Sequence, residues 1–244
     1  MNPATNNTLA ELLNDPYLLR LVAAALTFVV AHFAISSTPL RGLLVRAMGE
    51  RPYLVAYSVV QALALWWLIA SYIQAPYYFL WNASQGGEGF ALVLMAPATL
   101  LLVLGNTSRN PTLLPLMKGG GFNAQVQAVG VLRITRHPNL SGYTLWAIAH
   151  ILAKGELSAL LFFGAFALLS IGGTITIDRR RRAAHGAAWD AFAAQTSRLP
   201  FGAIMAGRNH LALKELRLWR LGLAVAIYAL FVLAHEAVIG VAAY

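Results

Sequence analysis

The chain contains no cysteine. That absence removes disulfides, thiolate metal sites and cysteine nucleophiles together, and leaves histidine as the main soft metal ligand. Charge is scarce as well: Asp, Glu, Lys and Arg make up 11% of the 244 residues, where an ordinary soluble domain carries roughly a quarter. No glycine-rich phosphate loop is present. Lys118-Gly119-Gly120-Gly121 has its lysine on the wrong side of the glycines and reads as a flexible connector. The first residues lack a cationic leader and a small-residue cleavage pattern, so no cleaved signal peptide is expected.

What the chain has in abundance is apolar sequence. It is 59% hydrophobic with a mean hydropathy of +0.63, more than one soluble core can absorb. Apolar runs of roughly 20 residues, the length that crosses a hydrocarbon core, recur along it. They predict an all-α, polytopic bundle of about six spans forming one membrane domain. The spans are placed at about Pro16 to Ser37, Tyr53 to Ile73, Phe90 to Gly105 with Pro97 inside, Pro138 to Ala153, Leu157 to Ile177, and Arg217 to Val241. Asp15 suits an N-cap and Pro16 the first helical position. A tight hairpin around Gly155 joins the fourth and fifth spans.

The net charge of +9 and pI of about 10.3 do not point to nucleic acid, because the basic residues flank hydrophobic spans. Arg41, Arg46 and Arg51 follow the first span; Arg109, Lys118, Arg133 and Arg136 follow the third; Arg179 to Arg182 follow the fifth. These are alternate connections, so the positive-inside rule places both termini away from the cytoplasm, in a bacterial inner membrane. The same arginines suit anionic lipid headgroups.

A polar side chain at membrane depth costs on the order of 2 to 3 kcal/mol on insertion scales, which makes it a functional candidate. His32, His150 and His235 fall inside spans one, four and six, His137 opens span four, and His185 and His210 belong to the last cytoplasmic connection. The first three are candidate metal ligands, since neutral imidazole ligates metals and haem. Tyr143 and Trp146 share the helix face of His150 and could wall a porphyrin. Trp66, Trp67, Tyr77, Tyr78 and Trp81 read as an interfacial aromatic belt. Ser58 with Gln61, and Ser170 with Thr174, are expected to hydrogen-bond neighbouring helices.

The stretch from Gly130 to Asn139, with Arg133, Arg136, His137 and Pro138, continues through Tyr143 and Trp146 to His150. It resembles the signature of the NnrU family, whose relatives include 15-cis-zeta-carotene isomerase. Agreement extends to His32 to Ser37 with Pro39-Leu40-Arg41, to Gly49-Glu50-Arg51 and to Ala75-Pro76-Tyr77. The resemblance implies an integral membrane protein tied to denitrification and nitric-oxide metabolism, and in the isomerase branch a b-type haem enzyme. The two histidines that ligate the haem in that branch fall on His32 and His150. Arg133, Arg136 and His137 become candidates to contact the haem propionates, with Tyr143 and Trp146 beside the ring. The resemblance also leaves room for a non-catalytic assembly factor for a denitrification reductase.

Arg136-His137-Pro138, opening a span that is followed by another span and a basic helix, also resembles membrane methyltransferases of the isoprenylcysteine carboxyl methyltransferase type. Those carry a glutamate pair where this chain has Arg179 to Arg182. Helix rise separates His32 and His150 by about 10 Å along the membrane normal, so His150 with His235, or a single-histidine haem, stand as alternatives. His150 ranks first among the ligands.

Overall fold

The computed structural model describes residues 9–83, 87–113 and 119–240, and they are all-helical apart from isolated bridges. In chain order the helices are α1 (Leu9–Asn14), α2 (Pro16–Ser37), α3 (Pro39–Met48), α4 (Glu50–Ile73), α5 (Gly87–Thr107), α6 (Val131–Ile134), α7 (Pro138–Lys154), α8 (Leu157–His185), α9 (Ala187–Gln195), α10 (Gly202–Met205) and α11 (Leu218–Ile239). Helices α2, α4, α5, α8 and α11 are long and apolar enough to cross a membrane. The sixth expected span, α7, has 17 residues, about 26 Å at 1.5 Å per residue. Lys118 of the expected connector lies outside the described residues.

Two expected boundaries move. The third span is not short: α5 runs for 21 residues through Pro97. The helix of the fifth does not stop where its apolar run ends at Ile177: α8 continues unbroken to His185 and carries Arg179 to Arg182 on the helix itself. Backbone carbonyls satisfied within a helix cost nothing at a membrane boundary, whereas a loop there would expose them.

The chain divides into two compact units, with α7 and α8 contributing an end to each. The first comprises Met1–Gly87 and His150–Leu169. One end of it is pinned by hydrogen bonds. The Asp15 carboxylate caps α2 by accepting from the Tyr17 and Leu18 amides, both at 2.9 Å, and accepts the Tyr78 hydroxyl at 2.7 Å. These bonds, the Leu18 amide foremost, hold the Asp15 carboxyl below its usual range. The Tyr78 carbonyl takes the Leu157 amide at the start of α8, and the Gly155 carbonyl takes the amides of Leu80 and Trp81. Helices α2 and α8 therefore start at one end and run the same way.

Gly155 has φ +61°, and a Cβ there would collide with the Trp81 carbonyl, which explains the hairpin expected at this glycine. Tyr78 and Trp81, expected in an aromatic belt, are pins of this end; the Trp81 indole donates to the Leu152 carbonyl. Trp66 and Tyr77 are exposed, as a belt requires. Leu18, Leu21, Ala24, Ala25 and Phe28 recur at helical spacing on the buried stripe of α2. α4 packs against α2. Inside a membrane such a contact is held by close packing and interhelical hydrogen bonds more than by exclusion of water.

The second unit comprises Glu88–Ala149 and Ser170–Tyr244. Its core joins Leu101 and Leu104 of α5 to Phe122, Val131, Leu132, Trp189, Phe192 and Leu216. Helices α5 and α7 approach closely through two glycines. A Cβ on Gly142 would meet Leu102 and the Ala98 carbonyl, and one on Gly105 would overlap the Asn139 amide. That amide in turn accepts from the buried Asn110 at 2.8 Å, which also donates to the Gly105 carbonyl. The outer faces of α11 remain apolar and exposed, with Leu218, Leu233 and Val238 at three-quarters exposure or more, as a lipid-facing helix requires.

Candidate functional site

The most densely bonded polar cluster of the second unit centres on Asp178, near the end of the apolar part of α8. Its carboxylate receives Nε and Nη2 of Arg136, with donor distances of 3.1 and 2.5 Å, and Nε2 of His137 at 2.8 Å. Arg198 stands 3.8 Å away. His137 precedes α7 and is completely buried. Burial pushes its imidazolium down toward the neutral form, against the pull of Asp178. A neutral ring that donates through Nε2 leaves Nδ1 an acceptor, and that nitrogen has no partner among the described residues. Thr135 braces the turn, its hydroxyl donating to the Arg198 carbonyl while accepting the His137 amide.

Arg133 is held in the same manner. Its guanidinium meets both oxygens of Glu215 at 2.8 Å and donates to Asn209 at 2.7 Å. Glu215 also accepts the Gly130 amide at 2.6 Å. The bond from Arg133 first, and that amide second, hold the Glu215 carboxyl down to about 2. Both arginines of the signature thus direct bidentate forks at carboxylates of this chain. For either to hold a haem propionate it would have to exchange that partner.

The first unit carries a different polar track. Tyr53, Tyr57 and Gln61 lie four residues apart on α4, so they share one face. The Tyr53 hydroxyl donates to the Ile35 carbonyl at 3.1 Å, and the Tyr57 hydroxyl meets Nδ1 of His32 at 2.9 Å. Next on the track, both polar atoms of the Gln61 amide are buried and find no partner among the described residues. The expected pairing of Ser58 and Gln61 with a neighbouring helix is therefore corrected: Ser58 is exposed and Gln61 is unpaired. Thr174 likewise bonds the Ile171 carbonyl of its own helix, satisfying its hydroxyl locally.

His32, His150 and His235 are half-buried, and it is His137 that lies wholly inside. His150 stacks on Phe163 with ring centroids 4.7 Å apart. Phe163 belongs to an aromatic nest with Phe162, Phe166 and Tyr72, and Phe166 reaches Phe28 of α2 at 5.4 Å. On α7, Tyr143 is exposed and Trp146 half-buried. His235 lies on α11 in the second unit. His185 sits in the last turn of α8 with its ring 5.0 Å from Phe122, and His210 is exposed.

These positions test how a haem fits. Phe28 and Phe166 mark one level on the parallel helices α2 and α8. His32 lies four residues beyond Phe28, and Phe163, beneath His150, lies three residues before Phe166. At 1.5 Å per residue, the two histidines stand about 10 Å apart along the helix axes. Two imidazoles on one metal, each at about 2 Å, need their nitrogens about 4 Å apart. The 10 Å is an offset between backbone levels, so a shared iron would require both side chains to reach toward one level across it. His32 has one feature of a metal-binding histidine: Tyr57 engages Nδ1 and orients the ring, as a hydrogen-bonded outer partner does for metal-bound histidines. No group of three or more His, Asp or Glu side chains suited to a bare metal ion occurs among the described residues.

Asp178 and Tyr57 were not singled out in the sequence. A lone aspartate closing a long apolar run, directly before four arginines, is the signal that could have marked Asp178. Tyr57 carries no such signal, since its role depends on the pairing of α2 with α4.

Long apolar helices with polar tracks inside them define an all-helical, polytopic membrane protein. Residues 20–243 match the family described as NnrU protein, and the chain belongs to that family. A stretch of 82 residues is 35% identical to chloroplastic 15-cis-zeta-carotene isomerase of Zea mays, covering 34% of this chain and 22% of that protein. The isomerase of Arabidopsis thaliana is 34% identical over 80 residues, covering 33% and 22%. The matched stretch thus spans about a fifth of the length of these curated relatives. No solved structure matches.

Proposed function

We propose that this chain is a membrane-embedded redox protein carrying a b-type haem on one axial histidine, His32, and serving nitrogen-oxide or related redox metabolism in a bacterial inner membrane. The observation that carries the reading is the polar track of the first unit, where Tyr57 orients His32 and the buried Gln61 amide lies one turn further along the same face of α4. A buried amide without a partner costs roughly 1 to 3 kcal/mol, a cost removed when a bound group supplies its hydrogen bonds. Bound there, a haem would supply a redox-active iron able to react with a small ligand such as nitric oxide. Tyr57 would fix the imidazole tautomer, and the aromatic nest around Phe162, Phe163 and Phe166 would keep water from that side of the unit.

Protein purified in detergent from haem-sufficient cells is expected to show a Soret band, shifted by nitric oxide. Absence of any Soret band contradicts the proposal. The stretch shared with the zeta-carotene isomerases favours a second reading, in which the same haem serves isomerisation of an apolar polyene. Conversion of 15-cis-zeta-carotene by the haem-loaded protein, followed by chromatography, tests it; an unchanged substrate dismisses it.

A further inference from the structure

The second unit holds a cleft of about 650 Å³ whose wall includes Arg136, Arg182, Arg198 and Arg208, with Thr196 and Ser197 between them. We propose that this cleft binds a phosphomonoester, presented as the headgroup of an anionic phospholipid of the phosphatidic acid type. The cleft and His32 belong to different units, so the proposal does not rest on the haem reading.

Four guanidiniums face two carboxylates: Asp190, bonded to Arg182 at 2.6 Å, and Asp178, engaged by Arg136 and His137. Two positive charges are left over, and they fall on identifiable side chains. Arg198 touches Asp178 only at 3.8 Å and is about half exposed. Arg208 has its Nη1 fixed by the carbonyls of Ala194 and Thr196 at 2.6 and 3.0 Å, bonds that orient the guanidinium without neutralising it. An excess of two charges in a concave wall matches a dianion better than a single carboxylate, and guanidinium forks match phosphate oxygens in geometry. The Thr196 hydroxyl is committed, donating to the Phe192 carbonyl, whereas Ser197 accepts the Leu199 amide and keeps its O–H for a phosphate oxygen. The charge of the anion is met by the arginines.

The surroundings indicate where the phosphate comes from. Leu199, in the wall, is 73% exposed, and Phe201 and Met205 just beyond it are 46% and 86% exposed. Apolar side chains beside a basic cleft are the arrangement that meets a headgroup and its acyl boundary at once. The level agrees: Asp178 lies 21 residues along α8 from Leu157, about 32 Å of helix, close to the thickness of a hydrocarbon core.

Calorimetric titration of the full chain in zwitterionic detergent tests the proposal, with dioctanoyl phosphatidic acid, dioctanoyl phosphatidylcholine and glycerol 3-phosphate as probes. Saturable binding of the phosphatidic acid is expected, at least tenfold tighter than the phosphatidylcholine, with glycerol 3-phosphate weaker and competitive. Arg198→Gln and Arg208→Gln should each weaken it about tenfold. Arg46→Gln, the same charge loss in the first unit, should leave it unchanged. Arg208→Gln also loses backbone bonds, so the exposed Arg198→Gln decides. Equal affinity for the two lipids overturns the proposal, as does equal weakening by Arg46→Gln and Arg198→Gln. Glycerol 3-phosphate binding as tightly as the lipid retains the phosphomonoester and makes its source soluble.

Discussion

The two units treat their polar side chains in opposite ways. In the second, each arginine of the signature is locked to a carboxylate, Arg136 to Asp178 and Arg133 to Glu215, and the buried His137 ring bonds Asp178 as well. In the first, the polar residues at membrane depth are uncharged, half-buried or unpaired, with His32 on Tyr57 and the Gln61 amide on nothing described. Charges neutralised inside the fold specify packing but offer little to a ligand, whereas unsatisfied neutral groups are where one gains most. The signature around Arg136 and His137 thus reads as a structural lock, and the proposed haem is placed instead beside His32.

Breaking the lock should have the largest effect. Asp178→Asn strands Arg136 without its counter-charge and weakens the bond from His137, and a loss of about 3 to 5 kcal/mol is expected, as for other broken buried pairs; thermal unfolding in detergent reads it. A variant as stable as the parent would remove the contrast between the units. Gly105→Ala comes next. The new methyl must displace the Asn139 amide, at about 1 to 3 kcal/mol for overpacking, while Gly164→Ala, with open space around it, should cost little.

Acid titration separates the second lock from the first unit. The folded Glu215 carboxyl titrates at about 2 against an ordinary 4.5, so its contribution is complete above about pH 4.5 and is lost as pH falls toward 2. Glu215→Gln should flatten stability across that window; an unaltered acid profile would show that the pair contributes nothing. The smallest effect is expected at Gln61. Gln61→Leu removes an unpaired amide and should leave unfolding unchanged or raise it by about 1 kcal/mol, yet alter the optical spectrum of any haem beside His32. Strong destabilisation would mean that Gln61 has a structural partner.

The span pattern was legible because membrane helices follow from local sequence: Asp15 with Pro16 fixes the start of α2, and Gly155 fixes the hairpin before α8. Three features were not legible. The continuation of α8 beyond the span was not read because hydropathy drops at Asp178 while helix propensity continues through the arginines. The burial of His137 depends on α8 supplying Asp178 from 41 residues away, and the face of Gln61 depends on which side of α4 meets α2. Depth along a helix can be counted, so the offset of about 10 Å between His32 and His150 was visible in the sequence and persists in the structure. Tertiary pairing cannot be counted, which is why His150 ranked above His32 before Tyr57 was placed.

The central claim is one haem on His32, and single-histidine variants read by optical and paramagnetic spectra test it most directly. The account predicts that His32→Ala abolishes the Soret band of the purified protein while His150→Ala keeps it with little change in ligation. Loss of the band in His150→Ala with an intact spectrum in His32→Ala would contradict it.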